Sequence, residues 1–254
     1  MTQTANVGSV GTSVGTGQRV SPATSPDAGP ATGATTCPAA GAVETIELLG
    51  LVAHLEHEAF TRLAADAALA PGMDVRLALS RFASTAVTNR DQVLARIAEL
   101  GADPQATLGQ FDHVLDDFDA RTCPSTWTER LLTSYVGYGV ADDFCRLLAS
   151  RLDATSAALV VAVLDDTAHA DLAVAAIAQA GQDDDVLVSR LALWGRRLGG
   201  EALGVVQALL TSRPALLALA SDAPSAEGHT GTGSLFGSLT GQHTRRMGRL
   251  GLTA

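Results

Sequence analysis

Apolar residues along the chain fall into helical spacing from Val43 onward. Ile46, Leu48, Leu49, Val52, Leu55, Phe60 and Leu63 recur mostly three or four positions apart, which predicts a first long helix. It runs to Ala70, where Pro71-Gly72 breaks it. A second helix is predicted from about Asp74, read as its N-cap, to Leu100, with Gly101 as the stop. Its stripe is Leu77, Phe82, Val93, Leu94, Ile97 and Leu100. A shorter helical piece spans roughly Pro104–Ala120, with Pro104 suited to a first turn.

Cys123-Pro124-Ser125 then interrupts the chain, and Ser125 is placed to cap a third long helix from Trp127 to about Leu152. A fourth helix starts at Asp153 or Thr155 and is read as continuous to Ala180-Gly181. Leu159–Leu164 is locally strand-like, but it sits inside that longer helical run. Asp183–Asp185 place three carboxylates where a fifth helix begins, favourable to its dipole. That helix continues through Trp194 to about Arg213, with Pro214 expected to kink it. Leu235–Leu250 makes a final amphipathic helix. No strand or hairpin signal competes, and no short repeat recurs. The expected class is all-α: a four-helix bundle with additional C-terminal helices.

The remaining segments lack such periodicity. Residues 1–40 are mostly Gly, Ser, Thr, Ala, Val and Pro, with only Arg19 and Asp27 charged. They have too few large apolar groups to offset ordering entropy and read as a disordered leader. The bundle domain then covers residues 41–220, a polar Gly-rich linker residues 221–233, and the C-terminal helix residues 234–254.

Composition sharpens this picture. Apolar residues make up 46% of the chain but aromatics only 4%, so the core is expected to be Ala, Leu and Val. A net charge of −10 weighs against gripping DNA or tRNA, which needs a basic surface. Three scattered Cys exclude a disulfide framework and a CxxC zinc cluster, and they fit a reduced, cytoplasmic setting. No apolar run reaches the roughly 18 residues of a membrane helix, and the N-terminus lacks a signal-peptide pattern.

The chemistry centres on two segments. In Leu164-Asp165-Asp166-Thr167-Ala168-His169, Asp166 and His169 are three apart and, on a continuous helix, share a face beside Val160, Val163 and Leu172. A carboxylate-x-x-His projecting inward is what each of two helices contributes to a di-iron or di-manganese bundle, the other two giving one carboxylate each. Glu56 lies four residues after Val52 and four before Phe60, on the apolar face where an unpaired carboxylate is costly. Its neighbours His57 and Glu58 are expected to face solvent. His54 falls roughly opposite Glu56 on the helix.

A family resemblance emerges from the order of several motifs. They include Leu48-Leu49-Gly50, Glu56, Arg62-Leu63-Ala64, Leu100-Gly101-Ala102-Asp103-Pro104, Pro124-Ser125-Thr126-Trp127 and Tyr135-Val136-Gly137. Later come Asp165-Asp166-Thr167-Ala168-His169-Ala170-Asp171, Arg190–Arg197, Gly200-Glu201-Ala202-Leu203 and His243-Thr244-Arg245-Arg246-Met247. Together they resemble the ferritin-like proteins of actinobacteria related to tRNA methylthio-isopentenyl-adenosine hydroxylase, over about Val43–Arg213 and the last twenty or so residues. The resemblance implies a ferritin-like bundle, a non-haem di-iron centre that activates dioxygen for hydroxylation, and a tRNA partner.

Carried over residue by residue, the resemblance makes Glu56 the first-helix ligand and Asp166 and His169 the fourth-helix pair. The second-helix pair falls on Ala86 and Asn89, an alkyl group and a neutral amide that is a poor iron ligand. The third-helix carboxylate falls on Tyr138, with Asp142 or Asp143 as substitutes, of which Asp143 is retained as the fourth expected ligand.

Two readings of the site stay open. One is a remodelled iron centre, mononuclear or dinuclear, on Glu56, Asp166, His169 and Asp143. The other is a metal-free buried polar cluster, favoured because metal affinity depends on ligand number and geometry. The leading functional reading is therefore a diverged family member without a complete di-iron centre, serving a structural or interaction role, including homo-oligomer formation. An oxygen-dependent hydroxylase with a remodelled site competes with it, and metal storage is a third reading. Arg196-Arg197 with Glu201 is expected to be an exposed ion-paired face. His243, Arg245, Arg246 and Arg249 form the basic cluster. No phosphate loop or GxSxG elbow is present.

Overall fold

The computed structural model describes residues 41–165, 167–221 and 231–254. The expected leader, Asp166 and most of the expected linker lie outside these residues. Among the described residues every regular element is helical. They are α1 (Ala42–Leu69), α2 (Met73–Glu99), α3 (Pro104–Gly109), α4 (Asp116–Arg121), α5 (Trp127–Leu132) and α6 (Gly139–Ala149). Then follow α7 (Ala154–Val163), α8 (Thr167–Gly181), α9 (Asp185–Ser212), α10 (Pro214–Ser221) and α11 (Thr232–Arg249). A single π-helical segment, Thr133–Tyr138, joins α5 to α6.

Local chemistry explains most of the boundaries. Gly101 adopts φ +84, and Ala102 N–H donates back to the Ile97 carbonyl at 3.2 Å, closing α2 as a glycine C-terminal stop does. Asp103 accepts from Ala106 N–H ahead of Pro104, Asp153 from Thr155 and Ser156, and Asp184 from Leu187. Two caps differ from the sequence expectation. Asp74 lies inside the first turn of α2 after Gly72, and Thr126, not Ser125, caps α5 in a reciprocal box with Glu129.

The long elements pack as a ferritin-like bundle with extra C-terminal helices. α1 is its central rod: Leu48, Leu49, Val52 and Ala53 are fully buried, and α1 packs along α2 and against α3, α6, α7 and α10. Gly50 allows α3 to approach, because a Cβ there would lie 2.7 Å from Thr107 Cγ2. The core is aliphatic as the composition suggested, with Phe111, Phe118 and Phe144 as its large aromatic fillers.

Three boundaries correct the sequence reading. The expected Pro104–Ala120 helix is two short ones, α3 and α4, with turns between them. The fourth helix is not continuous: α7 closes at Val163, Asp165 N–H turns back to Ala162 O at 3.4 Å, and α8 begins at Thr167. Paired Asp residues are poor helix-interior formers but favourable just ahead of an N-terminus. Pro214 ends α9 instead of kinking it, and α10 leaves at 108°. Arg213 is forced extended (φ −124, ψ 90), as a residue preceding proline prefers. Among the described residues no single helix is long and apolar enough to cross a membrane.

The C-terminal helix α11 fits into notches cut by glycine. A Cβ on Gly195 would meet Met247 Sδ at 2.5 Å, one on Gly199 would meet His243 Cε1 at 2.6 Å, and one on Gly139 would meet Arg246 Nε at 2.6 Å. Half of the basic cluster read from the sequence is thus turned inward, while Arg245 and Arg249 stay exposed. His243 and Arg246 dock the helix, while Arg249 reaches Asp171 at 3.1 Å on the surface.

Candidate functional site

A cavity of about 320 Å³ lies between α1, α2, the π segment and the start of α8. Two of the expected ligands, Glu56 and His169, line it together. Glu56 comes from the middle of the central helix and is 8% exposed. His169 sits in the first turn of α8, buried, with Ser134 Oγ 3.4 Å from Nε2 and the Phe82 ring edge-on at 5.8 Å. Asp166 lies outside the described residues.

The second-helix positions also reach the cavity, and Asn89 has a clear role. Its Nδ2 donates to Val163 O at 2.9 Å and to Glu56 Oε2 at 3.3 Å. Val163 is the last residue of α7, whose carbonyl has no partner within the helix, so the Asn89 amide satisfies the broken end. A donor therefore occupies the place where a second-helix histidine ligand was expected. Ala86, one turn earlier, is buried and offers only a methyl group.

The third helix requires a correction. Asp143 does not line the cavity: it is 7% exposed and accepts two bonds from Arg246, at 2.5 and 2.8 Å, with Arg146 at 3.5 Å. Burial alone would lower the Arg246 pKa, but its bonds to Asp143 more than offset this and hold the guanidinium above its ordinary value. Asp142 lines the cavity in its place, beside Tyr138. Asp142 follows Tyr138 by four residues, about one helical turn, and so shares its face, while Asp143 lies about 100° further round, toward α11. Tyr138 points its ring into the cavity and donates its hydroxyl to Asp119 on α4. Burial, with help from Asp119, pushes its pKa well up, so it stays a neutral donor.

Sequence reasoning missed Arg62. Its guanidinium carbon lies 3.1 Å from the centroid of the Tyr138 ring, inside the cavity. Its only sequence signal is an Arg six residues after a buried Glu on the same central helix. His54 is buried elsewhere in the core, and burial drives its pKa down to about 4. His57 contacts Arg90 at 3.3 Å and, like Glu58, is half-buried, not solvent-facing as expected. The expected ion pair of Arg196-Arg197 with Glu201 is absent among the described residues. Arg196 bonds the Thr253 carbonyl, Arg197 the Arg121 carbonyl, and Glu201 pairs with Arg121.

A pair of iron ions needs several carboxylates converging from facing helices. Among the described residues no three of His, Cys, Asp and Glu come together in that way. With Ala86 and the donating Asn89 on α2 and Asp143 committed to Arg246, the side chains lining this cavity do not fit a di-iron centre.

Residues 42–222 match the model of a family described as "Ferritin-like domain, actinomycetes". No curated protein matches the chain.

Proposed function

The chain belongs to the actinomycete ferritin-like domain family, and from that premise we propose that it is a member whose bundle works without a di-iron centre. Its role is then structural or binding, and the oxygen-dependent hydroxylation of the tRNA-modifying enzymes it resembles has been lost. The observation that carries this reading is the Asn89 amide, which donates both to Glu56 and to the end of α7. A metal at Glu56 on that side would compete with a cation-repelling N–H and would uncap a helix. Arg62 adds a permanent positive charge to the same cavity.

The test is anaerobic reconstitution with ferrous iron, followed by metal analysis of the desalted protein. Less than one iron per chain, unchanged in Glu56→Ala, is the expected result. Two irons per chain, lost in both Glu56→Ala and His169→Ala, would overturn the reading. A mononuclear iron hydroxylase is the second reading, favoured only by Glu56, Asp142 and His169 lining one cavity, although as placed they do not form a ligand set. It requires one iron per chain that disappears in His169→Ala.

A further inference from the structure

Arg62 leaves the cavity with unused hydrogen-bonding capacity. Its Nε and Nη1 are buried, and among the described residues neither has a hydrogen-bond partner. Proteins seldom leave a buried cationic donor in this condition, because removal from water is compensated only by an acceptor. Two acids of this region bond other groups: Glu56 accepts from Asn89, and Asp119 accepts from Tyr138. Asp142, Asp165 and His169 belong to the wall that the cavity shares with a second cleft, which opens under Arg245 and Arg249.

The remaining lining from α1 and α2 is hydrocarbon from Leu55, Ala59, Leu63 and Phe82, with Thr85 and a second cation, Arg81, on α2. The cavity therefore presents the Arg62 guanidinium with two open donors, and Arg81 beside it, above a partly apolar floor. At about 320 Å³ it lies at the small end of ligand sites, which are mostly apolar with a few placed polar groups. A guanidinium is matched best by a planar carboxylate. We infer that the cavity binds a small aliphatic carboxylate, its head on Arg62 and its chain along the α1–α2 wall. This inference rests on the metal-free reading above, since the space and the charge it uses are those a di-iron centre would claim.

The experiment is calorimetric titration of the full, metal-free chain with hexanoate, hexanamide and hexylamine. Hexanoate binds saturably at one per chain, and the amide and the amine bind at least tenfold more weakly. Arg62→Met lowers hexanoate affinity tenfold or more, Arg62→Lys recovers part of it, and Arg196→Met, on the surface, changes nothing. Circular dichroism confirms that each variant is folded. Equal binding of the amide, unchanged binding in Arg62→Met, or no saturable binding overturns the inference. The same titration on iron-treated protein separates the two proposals. If the chain takes up two irons and the metal-free form still binds hexanoate through Arg62, the functional reading fails while the carboxylate site stands. If it takes up two irons and the metal-free form binds no hexanoate, both fail; if it takes up none and binds no hexanoate, the carboxylate site alone fails.

Discussion

The docking of α11 makes a sharp prediction, because two adjacent glycines of α9 differ in only one respect. Gly199 and Gly200 both lie inside the helix, where Gly costs about 1 kcal/mol relative to Ala. A Cβ on Gly200 meets nothing within 4 Å, whereas one on Gly199 would lie 2.6 to 2.9 Å from three atoms of the His243 ring. That ring is buried against α9, so relief requires α11 to back away or the ring to leave its place. Overpacking of this kind costs roughly 1–3 kcal/mol. Gly200→Ala is expected to stabilise the protein by up to about 1 kcal/mol, and Gly199→Ala to cancel or reverse that gain. The two variants then differ by roughly 1–3 kcal/mol, each kcal/mol being worth about 2–4 °C in midpoint for a domain of this size. Urea and thermal unfolding followed by circular dichroism measure the difference. Adding His243→Ala should recover much of the Gly199→Ala loss, since the clash is pairwise. If the two single variants unfold together, the notch imposes no constraint and the account of α11 docking is wrong.

Three further outcomes follow from the same packing. Asp143→Asn strands the buried Arg246 guanidinium and is expected to cost roughly 3–5 kcal/mol, read as a lowered urea midpoint with α6 and α11 losing hydrogen-exchange protection together. His54 is held neutral by burial, with a folded pKa near 4 against 6.5 when unfolded. Its contribution is complete above pH 6.5 and is lost as pH falls toward 4, because the unfolded chain takes the proton first. The loss amounts to about 3 kcal/mol, and His54→Leu should flatten the stability profile over that window. Restoring the acid-x-x-His pair with Ala86→Glu and Asn89→His should raise iron uptake above the parent chain in metal analysis. Equal uptake would mean that those two positions are not what keeps metal out.

Much of the fold was legible because its helices are written as simple apolar stripes with Gly, Pro and Asp punctuation. The features that escaped are those in which tertiary partners decide. The apolar rhythm shared by α7 and α8 hides the end of α7 at Val163, and the paired Asp after it are a weak signal on their own. The carbonyl exposed there is met by Asn89, seventy-four residues away in sequence. The third-helix acids are the clearest case. Asp142 follows Tyr138 by about one helical turn and lines the cavity, but only the docked α11 shows that Asp143 is taken by Arg246. Glu56 and His169 were readable as cavity-lining residues because a polar side chain on an apolar stripe is conspicuous. Arg62 was not, since a long side chain can reach a cavity from a position whose backbone lies off the buried stripe.

The Gly195 notch has a consequence for oxidation chemistry. Met247 is completely buried with its sulfur seated in that notch, while Met73 at the start of α2 is 63% exposed. A sulfoxide oxygen has no room at Met247 unless α11 first swings out, whereas Met73 is open to peroxide at all times. The chain thus carries its own clock and its own reference. The ratio of the two oxidation rates, read by mass spectrometry, gives the fraction of time the C-terminal helix spends away from the bundle, without any label or mutation.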